Sequence, residues 1–418
     1  MPASEEKAKA CFHFSRVPRA RPNDILFIWY TIGRMTAPTA AQDGRRLVYV
    51  SGARIPTARA HGLQIMLMCA AFVRAGLSVE LVVPDRRRIV AEDPFAYYRI
   101  SRTFSIRRLA SLDLIGRARG FYAAAFMLDV IAFIARLLLA RVAQDGDIVY
   151  CRDYPVLFAL SPRRHVLVFE AHDIPRKHFL FRRALARARL VVAITHAMRD
   201  DLAALGVPAG RIIVAPDAVH LEDFAQPQSQ ADARRRLGLP LDKKIALYVG
   251  RIDGWKGTDT LFAAAAQLPA DTMAVVIGGE PKQVAALSAR YPRVRFLGSR
   301  PYHELADNMA AADVLVLPNS GKFDISARYT SPLKLFAYMT SGKPIVASDL
   351  PSIREVLGDD SAYVVASDDA AALAHGITAA LADHHADKRA QRAQELVATH
   401  TWDARAAGVV AALTRQSV

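Results

Sequence analysis

The sequence predicts an α/β protein built from two doubly wound, Rossmann-like domains that face each other across a cleft. Three observations carry this expectation. Short apolar runs rich in Val, Ile and Leu alternate with helix-length segments through most of the chain, which is the pattern of parallel sheets covered by helices. The alternation lapses over residues 217–242, where Gln, Ser and Pro gather around QPQSQ, and then begins again. The 418 residues suffice for two cores of ordinary size.

Composition narrows the class. With 52% hydrophobic and 23% charged residues the chain is globular rather than fibrous or disordered. Its three cysteines, Cys11, Cys69 and Cys151, are far apart and have no metal-binding or redox spacing, which speaks against a disulfide framework and fits a reducing cytoplasm. Lys and Arg outnumber Asp and Glu by 55 to 40, so anionic partners are expected, and the excess is densest in the first half, from Arg86-Arg87-Arg88 to Arg187 and Arg189. Nucleotide phosphates and acidic lipid satisfy that charge. No nucleic-acid recognition motif accompanies it, so nucleic acid is not an expected partner.

Taken in order, residues 1–46 read as an N-terminal extension, an accessory arm or an over-called start with Met35 as an alternative initiator; they lack the plan of a secretory signal. The first domain, 47–216, opens with strand LVYVS (47–51), loop GARIPTARAH, helix GLQIMLMCAAFVRAG and strand VELVV (79–83), the start of a right-handed βαβ unit without GxGxxG. The run from Phe121 to Val142 is long and apolar enough to invite a membrane-spanning reading, but Asp129 and Arg136 inside it and a strand directly after it favour a buried or interfacial helix. Strands follow at DIVYCRD, VLVFEAHD, LVVAI and RIIVAP. After the 217–242 linker, the second domain, 243–385, has strands at KKIALYVG, MAVVIGG, VRFLG and DVLVLP, then the stretch SARYTSPLKLFAYMTSGKPIVASDLPS, and the chain closes with helical segments from Asp368 and from Ala386, the last (386–418) expected to pack back on the first domain.

In that stretch Ser331 stands where an N-cap belongs, Pro332 suits the first helical position, and Gly342 ends the helix before strand PIVAS. A helix entrance offers unpaired N–H groups and partial positive charge, so it either holds a phosphate or is simply a capped helix. Other candidates lie just beyond strands, where ligands of doubly wound sheets bind. Loop GRIDGWKG sets Arg251 and Lys256 on a glycine-punctuated turn, two cations suited to a diphosphate. His172-Asp173 after VLVFEA, Arg152-Asp153 after DIVYC, and His61-Gly62 at the first loop are open between a ligand role and a capping or core role. The DxD pair Asp145 and Asp147 precedes a strand and reads as a turn rather than a metal site.

Together, VSGARIPTARAHGLQ, FEAHD, YVGRIDGWKG, ADVLVLPNS and YTSPLKLFAYMTSGKPIVASDLPSIREVL, in this order, resemble the retaining glycosyltransferases of family 4, of GT-B fold, in their bacterial cell-surface glycan branch. The resemblance implies metal-independent transfer of a sugar from a nucleotide sugar to a glycan or lipid-linked acceptor, with no cofactor. It implies that Arg251 and Lys256 hold the donor diphosphate and that His172 faces the donor sugar. Gly62 would border donor and acceptor, Ser331, Pro332 and Leu333 would meet the phosphates, and His61, Arg152 and Asp153 would lie on the acceptor side. The family's two glutamates fall at Tyr329 and Ala337, so the ribose contact is missing. A degenerate GT-B protein that binds a nucleotide sugar or a partner without turnover is the alternative. The basic first domain with its apolar helix suits the anionic inner face of a membrane.

Overall fold

The computed structural model describes residues 44–87, 90–114, 121–160, 164–175 and 178–416. The extension therefore lies outside the described residues except for 44–46, as do Arg88, Arg117 and Arg119 of the basic clusters. The first sheet contains β1 (Arg46–Val50), β2 (Ser78–Asp85), β3 (Ser105–Ala110), β4 (Ile148–Cys151), β5 (Val166–Ala171), β6 (Leu190–Ala193) and β7 (Ile212–Val214). They run in the order β3-β2-β1-β4-β5-β6-β7, and every pairing is parallel. The second contains β8 (Lys244–Val249), β9 (Thr272–Ile277), β10 (Val294–Phe296), β11 (Val314–Leu317), β12 (Ile345–Ser348) and β13 (Tyr363–Val365), ordered β10-β9-β8-β11-β12-β13, again parallel throughout.

Helices cover both faces of each sheet, so the strands are apolar on both sides. Leu47 and Tyr49 of β1 face one core layer with the helix Ala60–Arg74, while Val48 and Val50 face the other with Phe133 and Leu137. In the second domain Ile245 and Leu247 point to one layer, Ala246 and Tyr248 to its opposite.

Four expectations are corrected. Edge strands β3 and β13 were not legible: SIRRLA carries Arg107 and Arg108, which cap the carbonyls of Ala140 and Ile55, and YVV is three residues long. Edges tolerate charge and brevity that a central strand does not. The 217–242 stretch is no free linker, since Val219, Leu221, Phe224, Ala233, Leu237 and Leu239 join the core of the second domain. The closing segment is broken at His400: Ala386–Val397 packs on the second domain, and Thr401 caps a separate helix, Trp402–Arg415, whose Trp402, Ala406 and Val409 enter the core of the first. The helix in the 331–342 stretch starts at Leu333, with Pro332 as an N-cap that makes no side-chain bond; Ser331 uses its hydroxyl elsewhere.

The chain crosses between domains twice, side by side. Val219 N–H donates to His400 O at 3.0 Å, and Val219 forms a parallel bridge with Thr401. Asp147 of the DxD pair accepts from Arg46 at 2.7 Å and from Gln144 N at 2.8 Å, fastening a turn.

Candidate active site

In each sheet the strand order reverses at one point, between β1 and β4 and between β8 and β11, and loops leaving those strands part to leave a crevice. The second-domain crevice is lined by the loop after β8. Gly257 takes φ +66°, and a Cβ there would lie 1.7 Å from Pro318 O, so only glycine lets this loop seat against the one after β11. Gly278 is pinned likewise, its Cβ falling 1.8 Å from Gly250 O. On this floor Lys256 is held over the Trp255 ring at 3.6 Å. Burial, with Arg251 nearby, lowers its ammonium to about 8. Arg251 remains exposed and touches Asp253 at 3.1 Å.

The first-domain crevice is organised around Glu170, a fully buried carboxylate on β5. It accepts from Gln64 Nε2 at 2.6 Å and from the Tyr150 hydroxyl, and pairs with Arg405 of the last helix at 3.0 Å. Burial alone would raise its pKa, but the Arg405 guanidinium and the His172 hydrogen bond hold it well below the usual carboxylate range. His172 Nε2 lies 2.6 Å from Glu170 Oε1. An ionised carboxylate only accepts, so Nε2 carries the proton and Nδ1 keeps its lone pair. Burial, then Arg152, lowers His172 to about 4, so the imidazole is neutral at ordinary pH. His61 is brought to about 4 by burial and the same arginine.

Arg152 donates to Gln64 Oε1 at 2.5 Å, and Asp153 accepts from Ser51 Oγ at 3.0 Å and Gly52 N at 2.7 Å, fixing the loop after β1. Asp217 lies at the interdomain crossing, where burial raises it to about 7 against the pull of Arg405 and Lys256. Its backbone N–H donates to Ser331 Oγ at 2.7 Å, which ties the crossing to the entrance of the Leu333–Thr340 helix.

Residues 62–223 match the family described as Glycosyltransferase Family 4, and residues 243–383 match the one described as Glycosyl transferases group 1. Sucrose-phosphate synthase from Thermosynechococcus elongatus superposes with a TM-score of 0.71 at 23% identity, over 89% of this chain and 99% of that one. Anabaena HepE does so at 0.65 and 20%, over 90% and 100%. The chain has the two-domain GT-B fold of these structures. Curated relatives include a teichuronic acid biosynthesis glycosyltransferase of Bacillus subtilis, 28% identical over 47% of this chain and 48% of the relative. A D-inositol 3-phosphate glycosyltransferase of Xylanimonas cellulosilytica is 33% identical over 54% and 57%. The chain thus spans about half the length of the curated relatives it matches.

In GT-B terms, the fold brings His61, Arg152, Asp153 and His172 together on the first-domain side of the cleft and Arg251 and Lys256 together on the other. Gly62 is buried, and a Cβ there would lie 2.3 Å from the Tyr98 hydroxyl and 2.5 Å from Thr57 Cγ2; it lets the first loop fold onto its helix. Pro332 has no N–H to offer a phosphate, so at this turn that task can fall only to Ser331, Leu333 and Lys334. Tyr329 turns to the first domain, where its hydroxyl donates to Asp201. Ala337 is 1% exposed within the apolar core of the second domain. Gln64, Glu170, Asp217, Lys334 and Arg405 were missed. Gln64, Glu170 and Lys334 had a readable signal, a lone polar residue inside an apolar run; Arg405 had none, because its helix arrives from the far end of the chain.

Proposed function

We propose that this protein transfers a sugar from a nucleotide-sugar donor to a glycan or lipid-linked acceptor, with retention of anomeric configuration and without a metal ion. We place it in cell-envelope polysaccharide synthesis at the cytoplasmic face of a membrane. The observation that carries this reading is the pair Arg251 and Lys256 on a glycine-fixed loop at the strand-order reversal of the second domain, within a chain whose two halves both match glycosyltransferase families. Neighbouring structures include HepE with UDP-glucose and an E. coli trehalose-6-phosphate protein with UDP-2-fluoro glucose, which supports a nucleotide-sugar donor here.

In this reading Lys256 and Arg251 balance the charge that builds on the diphosphate as the anomeric C–O bond breaks. The acceptor hydroxyl attacks from the face the diphosphate leaves, its proton passing to a leaving phosphate oxygen, so no protein carboxylate pair is required. His172 accepts a hydrogen bond from a donor-sugar hydroxyl through Nδ1, while Glu170 fixes its tautomer. The pure protein incubated with UDP-, GDP- and ADP-sugars and lipid-linked acceptors releases nucleotide with one of them, chelators leave the rate unchanged, and Lys256→Ala abolishes it. A Lys256→Ala variant with an unchanged rate would remove the diphosphate role. The second reading, binding without turnover, is favoured by Ala337, which places no carboxylate near a ribose; tight nucleotide-sugar binding with no release from any donor would establish it.

A further inference from the structure

We infer that Lys334 is a third cation of the donor-diphosphate site, reaching it from beneath the loop after β8. The inference rests on the nucleotide-sugar reading above. Lys334 is the second residue of the Leu333–Thr340 helix. Its Nζ is buried without a hydrogen-bond partner, lying 3.8 Å from the centroid of the Tyr248 ring. A Cβ on Gly250 would sit 3.3 Å from it, so the ammonium is packed against the first residue of the loop that carries Arg251 and Lys256. Tyr248 ties the same parts together, its hydroxyl donating to Arg251 O at 2.7 Å.

A buried ammonium without an acceptor costs several kcal/mol unless it loses its proton or gains an anion. Burial, and then the proximity of Lys256, lower Lys334 well below the usual lysine range. Two ammonium groups thus converge on one loop, and the next turn of the helix on Lys334's side brings Ala337, which has no charge to offer. A diphosphate supplies the missing anion, and the ring of Tyr248 supports the cation until it arrives. Bringing in that anion restores the proton to Lys334, so affinity for a diphosphate, but not for a nucleoside, weakens as pH rises.

The test compares wild type with Lys334→Met and Lys334→Gln, titrating UDP, GDP and ADP and the matching nucleosides by calorimetry at pH 7 and pH 9. For the nucleotide that wild type binds, the variants lose about tenfold or more in diphosphate affinity, as expected for one charge-assisted bond. Nucleoside affinity stays unchanged, the preference of wild type for pH 7 shrinks, and the unfolding midpoint holds or rises. Equal loss for diphosphate and nucleoside, unchanged diphosphate affinity, or failure of both variants to fold would overturn the inference and leave Lys334 a structural residue. Wild type that binds none of the three nucleotides would overturn the donor reading itself.

Discussion

At the scale of single residues, the most constrained group is His172, because Glu170 dictates its tautomer while burial and Arg152 keep it neutral. Its folded-state pKa, near 4, lies below the 6.5 of a free histidine, so between those values the unfolded chain binds a proton the folded one refuses. Stability from this group is therefore complete above pH 6.5 and is lost as pH falls toward 4. His172→Gln keeps a donor for Glu170 but has no proton to gain. Urea unfolding at pH 7 and pH 5 should show wild type losing about 1–2 kcal/mol more than the variant over that interval; parallel losses would mean that His172 is charged in the folded protein. FEAHD marked this position in the sequence, yet Glu170 passed unnoticed there: a carboxylate ending a fully apolar strand needs partners, and Gln64, Tyr150 and Arg405 come from three distant segments that spacing cannot unite.

Among the elements, the helix Tyr122–Leu139 departs furthest from what a soluble surface requires. Among the described residues it is the one helix long and apolar enough to cross a membrane. It rests on the sheet through Ala125, Asp129, Phe133 and Leu137, and Asp129 accepts from Leu114 N at 3.0 Å, which settles it as a packed helix. The other side leaves Tyr122, Met127, Leu128 and Ile131 exposed, and Leu139 is 79% exposed. The nearby His178–Leu185 helix adds Phe179, 75% exposed, and the exposed Arg182 and Arg183. An apolar face beside arginines suits acidic lipid, each close arginine contributing about 1 kcal/mol. In a flotation assay, recovery should be greater with anionic than neutral liposomes and fall for Leu128→Glu/Ile131→Glu, whose side chains lie off the core. Equal recovery on both lipids would leave the face without this partner. Of these features the sequence shows helix length and apolarity but not sidedness, because nearly every position is apolar and only the buried Asp129 reveals which side faces in.

For the whole molecule, the doubly wound, two-domain architecture follows from the alternation of elements, but the strand order with its edge strands and the way the domains meet depend on contacts between segments far apart in the chain. Besides the paired crossings, a small polar clasp spans the cleft. Arg328 pairs with Asp201 at 2.9 Å, Tyr329 donates to the same carboxylate, Thr195 Oγ1 donates to Arg328 O at 2.7 Å, and Glu355 accepts from His196 N at 2.8 Å. The Arg328–Asp201 pair is partly exposed, so it is worth about 0–1 kcal/mol, far too little to hold the fold but enough to bias an angle between domains. Asp201→Ala should therefore leave the urea midpoint nearly unchanged while increasing the radius of gyration measured by small-angle scattering without nucleotide. High salt should enlarge wild type in the same way and have little further effect on the variant, since it screens the same contact. If the variant scatters identically to wild type at low salt, the angle is set by the crossings at Val219 and Thr401 alone, and Tyr329 is free to serve the donor side of the cleft.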